Sequence, residues 1–509
     1  MTLDPITLSV LAAALRGIAE EMGAILVRSA SSANIKERRD CSTALFDAAG
    51  RCVAQAAHIP VHLGALPDAV AAVIACDPAP GDVFIVNDPF TGGTHLPDLT
   101  LVAPCVLDGR IRAYGVARAH HSDIGGMRPG SMPSDSRELL QEGLVIPPLR
   151  LVRGGAPVAE VLELILANTR TPTLRRGDLR AQGAAAALAG QRLAELAARR
   201  GLDVVLTAFD DVQAYAERRT RAALAAMPDG TYPATSEVEG DGVTSADLPL
   251  RVAVTIAGDT IDVDFTGTAA QTDGNVNCPL AVTRSACLFA LRVALPDDVP
   301  SNAGTDAPLT VRAEPGSLVH ARRPAAVVAG NVETSQRIAD TVLRALAQAV
   351  DLPAEGQGTM NNLVLGGPGW TSYETIGGGQ GASVRGPGPS GVHVGMSNTL
   401  NTPVEALELE LPLRVRRYEL RDGSGGRGRH AGGDGVERSV EVLVPATLSL
   451  ISDRRRHAPA GRAGGGPGAL GENLVNGEPL PAKATRDLVP GDVVTVRTPG
   501  GGGYGAPPP

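Results

Sequence analysis

NDPFTGGTHLPDLTLVAPCVLDGRIRAYGVARAHHSDIGG, residues 87–126, gathers three of the chain's nine histidines and several of its acids into two short clusters. The first cluster is His95 and Asp98; the second is His120, His121 and Asp123. Between them run two apolar segments, 99–107 and 110–119, separated by Asp108-Gly109, a dipeptide that strongly favours a two-residue hairpin turn. If Leu107 pairs with Arg110, Asp98 falls opposite Ala119 and His95 falls near Ser122, so both polar clusters meet at the open end of the hairpin. Imidazole nitrogens and carboxylate oxygens converging there form a ligand set suited to divalent Zn, Mn or Fe. Gly92, Gly93, Gly125 and Gly126 flank the clusters and let the backbone turn sharply beside a bound group.

Strand alternation alone leaves the individual ligands open. His95 and Asp98 are three apart and would face opposite sides of a regular strand, although Pro97 favours a bend. Pro104 marks the first strand as an edge or a bulged one. A polar rim without any ion accounts for the same spacing.

A chain of 509 residues is long enough for more than one core, with about two to four domains expected. The net charge of −9 gives no basic face for nucleic acid or an anionic membrane. Lys36 and Lys483 are the only lysines, and neither follows glycine, so no Walker A loop exists to hold a nucleotide. Six cysteines form no C-x-x-C pair and read as buried free thiols of a reducing compartment. The N-terminus has no basic run before an apolar one, and no apolar run approaches about 18 residues. The expectation is a cytoplasmic protein.

The expected fold is mixed α+β and multi-lobed. Antiparallel hairpins carry the metal site, long Ala-rich helices pack against them, and a Gly-rich, β-rich region closes the chain. Boundaries are expected at 1–228, 229–355 and 356–509. Asp4-Pro5 opens a helix to about Arg28, and 65–76, 178–200, 203–226, 280–293 and 333–351 read as further helices. Residues 34–55 read as a polar loop and a hairpin, and 81–89 as a buried strand delivering Asn87 and Asp88 to the metal region. Ser134 and Ser136 start a helix ending at Glu142-Gly143.

Several residues carry a functional reading beside a plainer one. Asp88 suits a ligand-orienting role or a simple turn before Pro89. Glu142 is a proton-transfer candidate or a solvated helix end. Glu37, Arg38, Arg39 and Asp40 form a substrate cluster or a solvated loop. His58 and His62 are four apart, but Pro60 disfavours the helix that would pair them on a metal, which leaves loop packing. The helix start GNVETSQR suits an anion or ordinary capping. The Gly-, Asn- and Thr-rich stretch 357–408 reads as functional or interfacial loops. Arg454–Arg456 reads as a solvated run.

The strings NDPFTGGTHLPD, RAHHSDIGG and QEGLVIPP (141–148) resemble the signature region of the hydantoinase B / 5-oxoprolinase family, which also includes subunits of acetone-type carboxylases. The resemblance continues in order through NIKERRDCSTALFD (34–47), HIPVHLGALPDAV (58–70), GNVETSQRIAD (330–340), TIGGGQGA (375–382), MSNTLNTPVEALE (396–408) and TPGGGGYG (498–505). It implies a divalent metal held by His95, Asp98 and a histidine of the HH pair, assigned to His120 with His121 as the alternative.

The resemblance also implies a hetero-oligomer. By that resemblance, a hydantoinase A-type partner would use ATP to phosphorylate the carbonyl of a cyclic amide, and this chain would hydrolyse the product. His121, Asp123 or Asp88 would move the proton or orient a ligand. Two alternatives stand beside this: a subunit of an ATP-dependent ketone carboxylase, and a scaffold with a structural metal.

Overall fold

The computed structural model describes residues 3–507 except 58 and 63. Helix α1 (Pro5–Ser29) begins as expected, with the Asp4 carboxylate accepting the Ile6 and Thr7 N–H groups at 3.0 Å and Pro5 in the first turn. A short α2 (Ala33–Lys36) leads to β1 (Cys41–Asp47) and β2 (Cys52–Ala57), and α3 (Leu66–Ile74) follows. Strands β3 (Val83–Val86), β4 (Asp98–Leu107), β5 (Arg110–His120), β6 (Leu149–Arg153) and β7 (Ala156–Pro157) complete a seven-stranded antiparallel sheet, ordered β2-β1-β5-β4-β3-β6-β7.

The hairpin is there, with Asp108 and Gly109 both at positive φ (50° and 78°) as its turn requires. Its register differs from expectation by one residue. Leu107 pairs with Arg110 and Val106 with Ile111, but then the pairing shifts: Cys105 faces Ala113, and Asp98 faces His120 instead of Ala119. A bulge leaves Arg112 unpaired on β5. Pro104 sits beside it, where β3, which reaches only Thr100–Val102, no longer covers β4. One added residue therefore brings a histidine and a carboxylate face to face.

Helix α4 (Ala159–Ala167) precedes the long Ala-rich α5 (Pro172–Arg200), which ends at Gly201 (φ 91°), and α6 (Leu202–Ala225). α5 lies close against the sheet because Ala181, Ala185 and Ala186 meet Ala103, Ala117 and Ala119. Gly115 is part of this fit, since a methyl group there would run into the Ala186 carbonyl. On its other side α5 joins α1 through Leu193, Leu196, Leu15 and Met22.

A second sheet contains β8 (Gly230–Glu239), β9 (Asp247–Ala257), β10 (Thr260–Asp264) and β11 (Leu309–Arg312), antiparallel except for the β10–β11 pair. It packs on α7 (Leu280–Ala294), with α8 (Ala303–Asp306) nearby, and on α9 (Ser335–Leu346). The residues ahead of α9, Gly330–Thr334, form a π-helical turn in place of the regular helix start expected there.

The last third builds two antiparallel sheets. One contains β12 (Asn362–Gly367) and β13 (Trp370–Glu374) with β16 (Ala446–Ile451) and β19 (Lys483–Leu488). The other, after α10 (Val404–Glu410), contains β14 (Leu413–Leu420), β15 (Val436–Val442), β17 (Glu472–Val475), β18 (Glu478–Leu480) and β20 (Val493–Arg497). The chain is thus a mixed α/β protein with several antiparallel sheets and no closed barrel among the described residues.

The glycine runs interlock as backbone layers: Gly379 N–H donates to Pro499, Gly433 to Gln380, Gly501 to Gly433 and Gly503 to Gly466. Side chains would not fit between strands of chain this close.

Two further expectations are corrected. The helix expected before Glu142 is a single 3-10 turn, Leu139–Gln141. The arginine run is not solvated at its head, because Arg454 is buried between Asp340 (2.6 Å) and Glu355 (2.9 Å). Among the described residues no helix is long and apolar enough to cross a membrane, and all six cysteines are free.

Candidate metal centre

Asp98 opens β4 and His120 closes β5, so their cross-strand pairing sets them side by side. His95 joins them by a tight turn in which its carbonyl accepts the Asp98 N–H at 3.1 Å. Asn87 holds that turn, donating from Nδ2 to the Leu96 and Leu144 carbonyls (2.8 and 2.9 Å) and accepting the Ile146 N–H at 2.7 Å. Gly93 is required where the chain folds back, because a Cβ would strike the Asn87 and Asp88 carbonyls.

The three side chains converge on one point. His95 Nε2, Asp98 Oδ1 and His120 Nδ1 stand 3.2 Å from one another on every side of a triangle. Ligand atoms about 2.1 Å from a tetrahedral ion are separated by about 3.4 Å, so this spacing suits a metal. The outer nitrogens, His95 Nδ1 and His120 Nε2, are buried without a hydrogen-bond partner.

Electrostatics favour the ligand forms. Burial alone would raise the Asp98 carboxyl, but the charge of His95 and the contacts from His120 and His62 outweigh it and hold the group well below the usual carboxylate range. Burial pushes His120 down, which keeps its imidazole neutral and able to bind.

A supporting shell fixes these groups. Thr94 Oγ1 donates to Asp98 Oδ2 at 2.5 Å, and His62 Nε2 lies 3.4 Å from the same oxygen while its Nδ1 is 2.9 Å from Ser42 Oγ. The Tyr373 ring stacks on His120 with centroids 4.4 Å apart, and its hydroxyl donates to Asn362 Oδ1 at 2.9 Å. Burial raises the Tyr373 hydroxyl well above its ordinary value, so it stays a donor. The Arg38 guanidinium lies 5.3 Å from the Tyr373 centroid and donates to Thr375 and Thr399.

A small cavity opens on the triangle, walled by Asp40, His62, Asn331, Tyr373, Thr375 and Thr399 among others. Sequence reasoning gave His62 to loop packing and left Arg38 and Asp40 between a substrate cluster and a solvated loop; all three are buried here. His58 lies outside the described residues. Asp40 arrives because Cys41 pairs with Ala119, which puts the residue before β1 next to His120; the His120 N–H donates to the Asp40 carbonyl at 3.0 Å. Asp40, His120 and Asp98 thus form a row across three neighbouring strands. The 357–408 stretch serves this cavity too, through Met360, Tyr373, Thr375, Ser397 and Thr399.

The structure does not bring His121, Asp123, Asp88 and Glu142 to the cavity wall. Strand alternation turns His121 to the opposite face, where Nε2 lies 2.6 Å from Gln182 Oε1 on α5. Asp123 accepts from the Gly125, Gly130 and Arg170 N–H groups and pairs with the Arg170 guanidinium at 3.0 Å. Asp88 caps its own turn through Phe90 N–H and Thr91 Oγ1 and pairs with Arg323. Glu142 is buried instead of solvated. It accepts from the Val327 and Val328 N–H groups (3.0 Å each) and from Ser136 Oγ (2.9 Å). The GNVETSQR turn offers Asn331 and Val332 to the cavity, while its buried Glu333 makes it no anion site.

The model of the hydantoinase B/oxoprolinase family matches residues 4–507. The chain belongs to that family. It is 32% identical to the B component of a putative D-/L-hydantoinase from a Pseudomonas species, over 99% of this chain and 90% of that one. It is 37% identical to 5-oxoprolinase 1 of Arabidopsis thaliana, again over 99% of this chain but only 42% of the relative. The chain therefore spans about two fifths of the plant protein. The crystal structure of the ATP-dependent caprolactamase from Pseudomonas jessenii superposes with a TM-score of 0.92 at 29% identity, covering 99% and 92% of the two chains.

Proposed function

We propose that this chain is the metal-bearing component of an ATP-dependent cyclic-amide hydrolase, acting on a hydantoin, 5-oxoproline or related lactam. A hydantoinase A-type partner uses ATP to phosphorylate the amide carbonyl, and the activated ring is hydrolysed here. The observation that carries this reading is the buried 3.2 Å triangle of His95 Nε2, Asp98 Oδ1 and His120 Nδ1, in a family whose members include proteins named as hydantoinase and 5-oxoprolinase. The name of the caprolactamase points the same way.

His95, Asp98 and His120 would hold divalent Mn, Zn or Fe. Such an ion supplies Lewis acidity, which lowers the pKa of water and polarises a carbonyl. The remaining steps belong to the chain. Asp40, the second carboxylate on the cavity wall, accepts a proton from the attacking water. The Thr375 and Thr399 hydroxyls, held by Arg38, orient the ring against that water. Tyr373 keeps the His120 plane fixed by stacking. The buried apolar wall of Ile59, Val61, Val332 and Met360 limits competing water.

The match to the hydantoinase B component over most of its length supports a separate partner, and the unmatched part of the longer 5-oxoprolinase corresponds to that partner in this reading. The test is ring opening of hydantoin, 5-oxoproline and caprolactam by this chain with a hydantoinase A-type partner and ATP. ATP-dependent opening of one of them that His120→Ala abolishes supports the proposal. Incorporation of labelled bicarbonate instead of hydrolysis would replace it with the carboxylase reading.

A further inference from the structure

We infer that Asn331 is a fourth ligand of the metal centre, turning its side-chain oxygen toward the ion held by His95, Asp98 and His120. This rests on the reading of the triangle as a metal site. Asn331 comes from the turn ahead of α9, far in the sequence from the hairpin, yet it lines the same small cavity and is only 2% exposed. Its Oδ1 is buried without a hydrogen-bond partner. Among the described residues, no other side-chain atom on the cavity wall outside the two triangle histidines is both fully buried and unpartnered. His62 is engaged with Ser42 and Asp98, Thr375 and Thr399 with Arg38, and Ser397 with His393. A buried acceptor without a donor destabilises the fold unless a water or an ion meets it.

The backbone on both sides of Asn331 is pinned. Its N–H donates to the Val327 carbonyl at 3.2 Å, and its carbonyl accepts from Ser335 Oγ at 2.6 Å. The Ser335 N–H reaches back to the Gly330 carbonyl, the wide spacing of a π-helical turn, which recurs at functional sites. Two residues on, Glu333 Oε1 accepts from the Met360 N–H at 3.1 Å and from Asn362 Nδ2 at 2.9 Å. Asn362 Oδ1 in turn accepts the Tyr373 hydroxyl, and the Tyr373 ring stacks on His120. The turn is thus fastened to a corner of the triangle. The cavity between them encloses about 20 Å³, room for one water-sized body, which needs about 10–15 Å³. An ion seated on the triangle from this side therefore lies against the polar wall, where Asn331 Oδ1 is unpartnered.

A fourth protein ligand bears on which metal works here. Two imidazoles, a carboxylate and an amide oxygen would close a four-coordinate Zn site and leave no position for a substrate. A six-coordinate Mn site with the same four ligands keeps two positions open, and a carbonyl oxygen suits Mn. Ligand atoms about 2.2 Å from an ion at adjacent corners of an octahedron stand about 3.1 Å apart. The 3.2 Å edges of the triangle fit that spacing as well as a tetrahedral one. Asn331 therefore favours Mn over Zn at this centre.

The test is competition titration of Mn and of Zn against a chelator, on the full-length purified chain and on Asn331→Leu and Asn331→Asp. Leucine keeps the volume without the oxygen and is expected to weaken Mn binding at least about tenfold, and Zn binding by less. Aspartate keeps an oxygen in place and is expected to bind Mn at least as tightly as wild type. Asn331→Leu that binds Mn like wild type would overturn the inference. So would equal loss of Mn in both variants, since that would make Asn331 a support of the turn and not a ligand. Crystals of the wild-type chain soaked in Mn give a check that needs no variant. Asn331 Oδ1 is expected about 2.0–2.2 Å from the ion, and a solvent molecule between the two would overturn the assignment. A wild type that binds neither metal fails the reading of the triangle itself, whereas a wild type that binds Mn without help from Asn331 fails this inference alone.

Discussion

Glu142→Gln should change the pH dependence of folding while metal content stays the same. Glu142 is fully buried, and burial pushes its carboxyl from 4.5 to about 7, against the pull of the Val328 and Val327 N–H groups and Ser136. Between those two values the native chain holds a proton that the unfolded chain has released. Stability contributed by this group is therefore present at low pH and is lost as pH rises through about 7. From about pH 5 to about pH 8 the loss is on the order of 2–3 kcal/mol, at 1.36 kcal/mol per pKa unit. Glutamine cannot titrate, but its Oε1 still accepts from Val327, Val328 and Ser136, all of which reach that one oxygen in the wild type. Glu333 and Asp306, which burial also raises to about 7, are present in both proteins and cancel in the difference. Urea unfolding of wild type and variant at both pH values measures this. Wild type should lose about 2–3 kcal/mol more than Glu142→Gln over the interval. Parallel pH profiles would refute the assignment, and loss of metal in the variant would show that Glu142 belongs to the centre.

Tyr373→Ala removes the ring stacked on His120 and should weaken metal binding by about 10–100-fold in a competition titration with a chelator. Tyr373→Phe keeps the ring and should stay near wild type. Arg38→Lys loses the fork that holds Thr375 and Thr399, so kcat of ring opening should fall while metal content, read by elemental analysis, is unchanged. Gly115→Ala drives a methyl into the Ala186 carbonyl and should cost about 1–3 kcal/mol, seen as a lower Tm.

The hairpin and its ends were legible because their signals are local: an Asp-Gly turn between two apolar runs, with the polar clusters beyond. The register was legible only to within one residue, because the bulge depends on where β3 stops covering β4 beside Pro104, a fact of the sheet and not of the strand. Asp40 stayed undecided between a substrate cluster and a solvated loop, and His62 read as loop packing, for a related reason. Asp40 gains its place from the pairing of Cys41 with Ala119, and His62 from a 3-10 turn that lands on Asp98. Neither contact has a periodic signature. Arg454 looked solvated because its partners, Asp340 and Glu355, lie about a hundred residues away in the chain. The glycine runs were visible as unusual, but their cause, backbone layers too close for side chains, lies in contacts between distant segments.

Whether His95, Asp98 and His120 bind a divalent metal decides the reading of this site, and elemental analysis by plasma mass spectrometry measures it without assuming a substrate. Wild type should carry near-stoichiometric Mn, Zn or Fe, which His95→Ala and His120→Ala should each lose while keeping their circular dichroism spectra. A wild-type protein purified without metal, or variants that retain it in full, would overturn the assignment of the triangle as a metal centre.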